Sequence, residues 1–421
     1  MPKYYVWTIG CQMNKAESRR VADYLETLGY QAAPMLQSAD LVVLNTCVVR
    51  QSAENKVIGM LGYLKGIRDE KPDSSIIVTG CFVDSDIKRL EESFPQVDLF
   101  FKPGDYLGLF DWAKEQGIGI LEDLTSLPST KNVAVSVFVP IIQGCNNFCS
   151  YCIVPYRRGR ERSRPTEEVV CEVIDLVRCG AKEVTLLGQN VNSYGHDLPV
   201  RQELGNLLTE LNYVEGLARI RFLTSHPKDM SQKLIQDIAS LANVCEHINL
   251  PLQTGDNDVL KAMRRGYTVE QYRQLVGSIR DCISGVALST DIIVGFPGEN
   301  EEQFERTLAM LEEIRFDTVH VAAYSPRPNT IASREYEDNV SPDTKKERLN
   351  RVETLQAKVA GDINSRLKGK KVEILVEGNK GGKWYGRTRS NKLGFFESDA
   401  DCLGRLVDVT ITKTSPWALQ V

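Results

Sequence analysis

This chain of 421 residues lacks the features of membrane, secreted and disulfide-stabilised proteins. No apolar run is long enough to cross a bilayer, and the first residues enter a strand-like segment without the apolar region of a signal peptide. Its 11 cysteines are an odd number and too few to cross-link so long a chain through disulfides. We therefore expect a soluble cytoplasmic protein whose thiols stay reduced and are free to bind metals.

The chain has no net positive charge and few histidines. The net charge of −5 gives no overall attraction to a polyanion, so nucleic acid would have to bind local basic patches. One patch holds five arginines between residues 157 and 164, and the segment 361–421 holds 11 Lys and Arg against 7 Asp and Glu. Either patch alone also fits a solvated charged face. The four histidines are His196, His226, His247 and His320. Their dispersal gives no metal-binding spacing.

Three cysteines stand at a close spacing that is typical of a metal centre. Cys145, Cys149 and Cys152 form the pattern Cys-x3-Cys-x2-Cys. A fully ligated four-iron cluster takes four cysteines, so three thiolates leave one iron open to another ligand. A structural zinc ion with a distant fourth ligand is the alternative for this spacing alone.

Residues 1 to about 120 alternate between strand and helix, which predicts a parallel sheet. The predicted strands are Tyr4–Ile9, Leu41–Leu44 and Ile76–Val78, and the predicted helices are Ala16–Leu28, Ser52–Ile67 and Ile87–Ser93. Each strand is followed within a few residues by a cysteine: Cys11, Cys47 and Cys81. Because the carboxyl ends of parallel strands meet at one edge, this repeat predicts a second three-thiolate site. A buried core thiol is the alternative for each cysteine taken separately.

A linker is predicted at Glu122–Asn132, and a longer series of strands and helices follows it. The six predicted strands are Val133–Ile142, Val184–Leu187, Ile220–Leu223, His247–Leu250, Val286–Val294 and Thr318–Ala323. Intervening helices such as Glu167–Arg178 indicate crossover connections, and hence an open (β/α)6 partial TIM barrel or a curved open sheet. Polar and glycine-rich turns follow these strands, at the face where such barrels bind their ligands.

The pattern changes in the last part of the chain. Ser341-Pro342 predicts the start of a helix, with apolar residues at a 3-to-4 spacing from Leu349 to Leu367. From Lys371 onward the apolar residues alternate instead. This alternation predicts a small all-β barrel, a shape often used to hold RNA.

With these segments in view, the chain resembles the radical S-adenosylmethionine methylthiotransferases over nearly its whole length. The matching motifs are Gly10-Cys-Gln-Met-Asn14, Asn45-Thr-Cys-Val-Val-Arg50, Gly80-Cys81, the Cys-x3-Cys-x2-Cys loop, Ser163-Arg-Pro165, Leu367-Lys-Gly-Lys-Lys-Val372, Gly386-Arg-Thr-Arg389 and Gly404-Arg-Leu-Val-Asp-Val409. The resemblance implies a doubly wound parallel α/β methylthiotransferase domain at 1–122, a radical core with its bridging helix at 132–360, and the RNA-binding barrel called TRAM at 363–421. Leu187-Gly-Gln-Asn-Val-Asn-Ser-Tyr-Gly195 and Thr224-Ser-His-Pro227 are most similar to the tRNA enzymes of the family that act on isopentenyladenosine.

The resemblance also implies the chemistry. A first 4Fe–4S cluster would bind S-adenosylmethionine at its open iron and cleave it to a deoxyadenosyl radical; its ligands would be Cys145, Cys149 and Cys152. An auxiliary 4Fe–4S cluster would carry a sulfur atom; its ligands would be Cys11, Cys47 and Cys81. One S-adenosylmethionine would methylate that sulfur and a second would supply the radical, which is needed because the hydrogen on carbon 2 of adenine is not acidic.

Further contacts and partners follow from the same resemblance. S-adenosylmethionine is expected to contact Gln189, Asn190, Ser225, Gln253, Asp291 and Gly298. The anticodon stem-loop of a tRNA is expected to contact Arg157, Arg158, Arg160, Arg164, Lys370, Lys371, Arg387 and Arg389. We expect no catalytic residue beyond the cluster ligands and no binding to a membrane. We also expect a monomer that receives electrons from a donor such as flavodoxin or ferredoxin. The alternatives are a methylthiotransferase acting on threonylcarbamoyladenosine in tRNA or on a ribosomal-protein aspartate, and a non-catalytic zinc-stabilised RNA-binding protein.

Two residues depart from the pattern of the family. Asn249 stands where relatives often have histidine, which puts a hydrogen bond near the S-adenosylmethionine pocket in question. Asn329 stands where glycine is common. We expect only a change of turn residue there, since asparagine also tolerates positive φ.

Overall fold

The computed structural model describes residues 1–84, 86–117 and 133–421, so the predicted linker Glu122–Asn132 lies outside the described residues. The chain forms two compact units. The described residues of the first unit lie in 1–117, 143–146 and 152–160, and those of the second lie in 133–142, 147–151 and 161–421. Within the described ranges, none of the helices combines the length and the apolar character that crossing a membrane requires.

The first unit is built on a parallel five-stranded sheet of order β2-β1-β3-β4-β5. Its strands are β1 (Lys3–Thr8), β2 (Gln31–Ala32), β3 (Leu41–Thr46), β4 (Ser75–Gly80) and β5 (Leu99–Phe100). Its main helices are α1 (Gln12–Thr27), α2 (Gln51–Glu70), α3 (Ile87–Ser93) and α4 (Tyr106–Glu115). The predicted strands and helices are all present, and the doubly wound α/β fold is confirmed.

Strand β3 explains why helices cover both faces of this sheet. All six of its residues are buried. Successive side chains of a strand point to opposite faces. Val43 accordingly packs in one core cluster with Leu25 of α1, and Leu44 packs in another with Leu61 of α2. An unbroken apolar run is what a strand covered on both sides requires.

The second unit begins with two parallel three-stranded sheets, of order β6-β9-β10 and β11-β12-β13. The two three-stranded halves are joined by a bridge between Ile220 and Val244. The six strands are β6 (Ser136–Pro140), β9 (Glu183–Leu187), β10 (Arg219–Leu223), β11 (His247–Asn249), β12 (Ala287–Val294) and β13 (Thr318–Ala323), and β7 (Ile142–Gln143) and β8 (Arg162–Ser163) are two-residue strands beside them in sequence. The helices are α5 (Val154–Arg158), which belongs to the first unit, and α6 (Thr166–Arg178), α7 (Leu204–Asn212), α8 (Gln232–Ser240), α9 (Asn257–Ala262), α10 (Val269–Cys282), α11 (Glu301–Ile314) and α12 (Ile331–Glu335). The partial barrel fold is confirmed, and each predicted strand overlaps an observed one.

The long helix α13 (Pro342–Ser365) begins as predicted, because the Ser341 side chain accepts a hydrogen bond from the backbone N–H of Thr344 and Pro342 occupies the first turn. It ends before Leu367, the last residue of the predicted apolar stripe. A six-stranded sheet of order β17-β14-β15-β16-β19-β18 follows within the same unit. Its strands are β14 (Lys371–Lys380), β15 (Lys383–Thr388), β16 (Leu393–Phe396), β17 (Leu406–Thr410), β18 (Lys413–Thr414) and β19 (Leu419–Gln420).

Candidate metal centres and ligand site

The first candidate site is the auxiliary trio, Cys11, Cys47 and Cys81, which lies just beyond the carboxyl ends of β1, β3 and β4. The strand order reverses between β1 and β3, and doubly wound sheets bind their ligands in the crevice at such a point. All three are free thiols, and Cys47 and Cys81 are buried. Burial and then the nearby Cys81 and Cys11 raise the pKa of Cys47 to about 11, with Val49 and Arg158 acting in the opposite direction. The fold therefore brings the auxiliary trio together.

Within the described residues, no three His, Cys, Asp or Glu side chains form a group that could hold a single metal ion.

A buried amide network holds the loops that carry Cys11 and Cys47. The Asn14 side chain, which is fully buried, donates from Nδ2 to Oδ1 of Asn45 at 2.7 Å and to the backbone oxygen of Thr46 at 2.9 Å. Its Oδ1 accepts from the backbone N–H of Cys11 at 3.3 Å. This capping box starts α1 at Gln12, earlier than the predicted Ala16. The sequence motifs contained both asparagines, but the predictions gave them no role.

Glycine next to two of the cysteines allows the loops to approach closely. A Cβ on Gly80, whose φ is +94°, would lie 2.4 Å from the backbone nitrogen of Thr46. A Cβ on Gly10, whose φ is +137°, would lie 2.9 Å from Cβ of Cys47. A side chain at either position would push apart the strand ends on which the auxiliary trio stands.

One cysteine of the auxiliary trio has a charged neighbour that the sequence predictions missed. The Arg158 guanidinium donates from Nε to the sulfur of Cys81 at 3.2 Å. It also donates to both carboxylate oxygens of Glu17, at 2.5 and 3.1 Å. The Arg158 side chain is 2% exposed and that of Glu17 is 10% exposed. Arg158 was predicted to contact RNA phosphates; in the structure its side chain is buried in this ion pair.

The second candidate set is the loop trio, Cys145, Cys149 and Cys152. In the first unit, the backbone N–H of Cys145 donates to the Gly159 oxygen at 3.2 Å. In the second unit, the sulfur of Cys149 accepts from Nη1 of Arg265 at 3.2 Å. Arg265 is 4% exposed and is fixed by a bond from its Nη2 to the Pro251 oxygen at 3.0 Å. Arg265 is a second buried cation at a candidate cluster ligand that the sequence predictions missed.

The ends of the strands in the second unit carry buried polar atoms that have no hydrogen-bond partner among the described residues. These atoms are Gln189 Oε1, Asn190 Oδ1, Asn192 Oδ1, Ser225 Oγ, His226 Nε2 and Gln253 Oε1. An unpaired buried polar atom costs about 1–3 kcal/mol, so such a group of atoms indicates a place for a polar ligand. Four of the six residues were predicted to contact S-adenosylmethionine. Asn192 was not predicted, although it follows the same strand.

The two other predicted contacts of S-adenosylmethionine have partners within the protein. Asp291 accepts a bond from Nδ2 of Asn249 at 3.2 Å. The backbone N–H of Gly298, a residue with φ of +81°, donates to Oδ1 of Asn339 at 2.8 Å. Asn249 thus makes a hydrogen bond from the position where histidine was expected. Asn329 has φ of +69°, as the turn prediction required.

His226 is buried beside this group of atoms, in an edge-on contact with the ring of Tyr267. Burial, and then the positive charges of Arg265 and Lys228, lower the pKa of His226 to about 2. Its Nδ1 accepts a bond from the backbone N–H of Lys228 at 3.3 Å. The imidazole is therefore neutral and presents its unpaired Nε2 as a possible contact for a ligand.

The other residues predicted to contact RNA differ in their surroundings. Arg157 pairs with Asp84 at 2.8 Å, and Arg164 pairs with Glu172 at 2.6 Å. Lys370 and Lys371 are exposed. Lys371 of β14 forms an ion pair with Asp408 of β17 at 3.0 Å. Arg387 donates a hydrogen bond to the backbone oxygen of Asn391. Arg160 also interacts with another residue of the protein.

Arg389 joins the C-terminal six-stranded sheet to the strands of the partial barrel. It pairs with Glu246 at 2.7 Å and donates to the Val244 oxygen at 2.7 Å. In the other direction, Arg221 of β10 donates to the backbone oxygens of Thr388 and Arg389, both at 2.7 Å. Arg219, the first residue of β10, donates to the Arg387 oxygen at 2.6 Å, so the contact includes the amino end of this strand, opposite the end that the unpaired polar atom of Ser225 follows.

Comparison with known families assigns these parts. Residues 139–311 match the Radical SAM superfamily, residues 3–102 match the uncharacterized protein family UPF0004, and residues 365–420 match the TRAM domain. Among solved structures, the radical S-adenosylmethionine methyltransferase TsrM from Kitasatospora setae superposes with a TM-score of 0.57 at 17% identity, covering 79% of this chain and 77% of that one. The cobalamin-dependent radical enzyme OxsB gives a TM-score of 0.52 at 13% identity, covering 85% and 56%. These two likenesses show the fold alone.

Full-length relatives are more informative. The tRNA-2-methylthio-N(6)-dimethylallyladenosine synthase of Dehalococcoides mccartyi (strain CBDB1) is 51% identical over 420 residues, covering 100% of this chain and 98% of the relative. Proteins of the same name from Chloroflexus aurantiacus and Thermoanaerobacter pseudethanolicus are 47% and 42% identical, each covering 99% of this chain, and 91% and 92% of the relative. The chain therefore belongs to the tRNA-2-methylthio-N(6)-dimethylallyladenosine synthase family of radical S-adenosylmethionine enzymes.

Proposed function

We propose that this protein adds a methylthio group to carbon 2 of isopentenyladenosine next to the anticodon of tRNA, using S-adenosylmethionine and two 4Fe–4S clusters. The observation that carries the proposal is the presence of two separate sets of three free cysteines. The loop trio follows the first strand of the radical core, and the auxiliary trio follows three neighbouring strands of the other unit. Three thiolates at each site leave one iron open. The loop trio would hold the cluster that supplies radical chemistry, and the auxiliary trio would hold the cluster that supplies the sulfur atom.

The chain's own residues suit the binding of these groups. The loop trio would hold the cluster that binds S-adenosylmethionine, and the auxiliary trio would hold the other cluster. Gln189, Asn190, Ser225 and Gln253 offer unpaired buried oxygens at the strand ends, and Asp291 and Gly298 complete the proposed contacts. Burial of Cys47 and Cys81 would keep water from two of the three thiolates of that cluster, whereas Cys11 is exposed.

The RNA would be held by basic side chains of the TRAM domain and of the segment after the loop trio. The exposed Lys370 and Lys371 are the strongest candidates. Arg157, Arg160, Arg164 and Arg387 remain proposals, in which each would exchange or share its present partner with a phosphate. Arg389 would act mainly by fixing the TRAM domain. Phosphate contacts of this kind give an affinity that falls with salt.

The wider setting of the reaction is also a proposal. We assign 1–122 to the methylthiotransferase domain, 132–360 to the radical core and 363–421 to the TRAM domain. The enzyme would act as a cytoplasmic monomer, where thiols stay reduced, and would receive electrons from a flavodoxin or ferredoxin.

Two measurements test the proposed function. Mass spectrometry of tRNA nucleosides, from cells with and without the gene, should show methylthio-isopentenyladenosine only when the gene is present. A change in methylthio-threonylcarbamoyladenosine or in a ribosomal-protein aspartate would favour an alternative substrate instead. Anaerobically purified protein should contain about eight irons and eight sulfides per chain. Protein that contains zinc but no sulfide would overturn the proposed enzymatic function and favour the zinc-stabilised RNA-binding alternative.

Replacing Cys47 with alanine separates the two sites. The Cys47→Ala protein should still cleave S-adenosylmethionine when reduced but should not insert sulfur. Cys245→Ala is the matched control, because Cys245 is also a buried free thiol and belongs to neither trio. Loss of both activities in Cys47→Ala alone would contradict the proposed division of roles.

A further inference from the structure

We propose that Arg158 is a positioning residue for the auxiliary cluster, donating a charge-assisted hydrogen bond to the Cys81 thiolate and thereby favouring the reduced cluster. The proposal rests on the proposed function, since it requires a cluster on the auxiliary trio. It assigns to Arg158 a role in place of the RNA contact that was expected from the sequence.

The contact between Arg158 and Cys81 is both close and rigidly held. Nε of Arg158 lies 3.2 Å from the Cys81 sulfur, while the two terminal nitrogens bind Glu17 through separate oxygens. A two-bond arginine–carboxylate pair fixes the plane of the guanidinium, which leaves Nε directed at the sulfur. With 2% of the Arg158 side chain exposed, solvent screens this charge little.

The partners of the other two sulfurs are uncharged. The Cys11 sulfur lies 3.3 Å from Oδ1 of Asn14, and the Cys47 sulfur accepts from the backbone N–H of Val49 at 3.5 Å. The charged bond at Cys81 therefore makes the trio asymmetric. Hydrogen bonds to the ligand sulfurs and net charge are among the factors that set the potential of an iron–sulfur cluster.

The helix that carries Arg158 adds a second consequence. Helix α5 starts two residues after Cys152 of the loop trio and belongs to the first unit. Ile153 packs in the core with Leu44 and Val78, and Arg157 pairs with Asp84. The segment after the loop trio is thus packed against the unit that carries the auxiliary trio. This packing places Arg158 beside Cys81.

Removing the positive charge should disfavour the reduced cluster, because reduction adds negative charge beside Arg158. At a fixed potential, Arg158→Gln should lower the ratio of reduced to oxidised auxiliary cluster about tenfold, which is about 59 mV for one electron. Arg158→Lys keeps the charge and should recover part of that ratio. Glu17→Gln removes a neighbouring negative charge and should raise the ratio.

The experiment uses the full chain with Cys145, Cys149 and Cys152 replaced by alanine, so that only the auxiliary trio remains for a cluster. After anaerobic reconstitution, this parent should hold about four irons. A parent without iron and sulfide overturns the proposed function itself, independently of Arg158. Given a loaded parent, redox titration followed by electron paramagnetic resonance measures the ratio in each variant.

Arg89→Gln is the matched control, since Arg89 is an arginine of the same unit that pairs with Asp84 and is 63% exposed. It should leave the ratio unchanged. An Arg158→Gln ratio within twofold of the parent would overturn the inference. Should Arg158→Gln fail to hold iron, Glu17→Gln decides: a raised ratio supports the inference, and an unchanged or lowered ratio overturns it.

Discussion

Asn14 and Asn45 bind each other reciprocally beneath the auxiliary trio. Nδ2 of Asn14 donates to Oδ1 of Asn45 at 2.7 Å, and Nδ2 of Asn45 donates to the backbone oxygen of Asn14 at 2.9 Å. Both side chains are fully buried. The first turn of α1 and the end of β3 are thereby fixed relative to each other.

Breaking this pair should destabilise the first unit and weaken its metal site. Asn45→Ala leaves buried groups of Asn14 without a partner, and we expect a loss of about 1–3 kcal/mol in the free energy of unfolding. Urea unfolding of the metal-free protein measures this loss, and iron content after reconstitution should fall as well. Asn55→Ala is the control, because Asn55 lies exposed on α2. Equal stability of the two variants would contradict the role of the pair.

Gly80 should not tolerate a side chain. Gly80→Ala would place Cβ 2.4 Å from a backbone nitrogen at a φ of +94°, so we expect a loss of about 1–3 kcal/mol or more and a poorly loaded auxiliary site. Gly62→Ala is the matched control, since Gly62 lies in α2 with no atom within 4 Å of the added Cβ. That control should gain up to about 1 kcal/mol. Similar melting temperatures for both variants would refute the prediction.

Two buried histidines should make the second unit less stable in acid. Burial first, and then Arg221 and Arg387, lower the pKa of His247 to about 3, and the pKa of His226 falls to about 2. The folded chain keeps both imidazoles neutral, whereas the unfolded chain protonates them below about 6.5. Stability should therefore fall as the pH drops below about 6.5, by roughly 1.4 kcal/mol per pH unit for each histidine.

His247→Gln isolates this effect from the titration of carboxylates. Urea unfolding of the metal-free protein between pH 6.5 and pH 5 should show a slope that is smaller by about 1.4 kcal/mol per pH unit in the variant. A slope equal to that of the unchanged protein would mean that His247 takes up a proton in the folded state.

Alanine variants of Arg389 and Lys371 should have different effects, because Arg389 holds the TRAM domain in place whereas Lys371 is proposed to bind RNA. Arg389→Ala breaks the half-buried pair with Glu246 and should lower the stability of the second unit. Lys371→Ala removes an exposed pair with Asp408, which is worth only about 0–1 kcal/mol, so stability should hardly change. The affinity of Lys371→Ala for an anticodon stem-loop should fall, and its salt slope should decrease by about 0.7–0.9. The same salt slope in Lys371→Ala and the unchanged protein would exclude Lys371 as a phosphate contact.

The sequence predicted the fold because the fold depends on local patterns. Strand β3 is recognisable from a short apolar run, and the position of Cys47 just after it follows from the parallel sheet. Arg158 could not be placed in this way. Its burial depends on Glu17, which lies 141 positions earlier in the chain, and an arginine in a basic segment is usually solvated.

The role of Arg389 was missed for a similar reason. Its partner Glu246 is 143 positions away, and the motif around Arg389 gave no sign that its backbone oxygen accepts a bond from Arg221. The unpaired atoms at the strand ends could be predicted in part, since polar residues after parallel strands indicate a ligand site. Which of their atoms lack a partner depends on side-chain packing that one sequence does not reveal.

The placement of helix α5 constrains how chimeras of this family can be built. Residues 152–160 belong to the first unit although they follow residues 133–142 of the second unit in sequence. Grafting residues 1–117 of a relative onto this protein would give Ile153 a foreign core and Arg158 a foreign carboxylate. A functional hybrid therefore has to take residues 1–117 and residues 152–160 from the same relative.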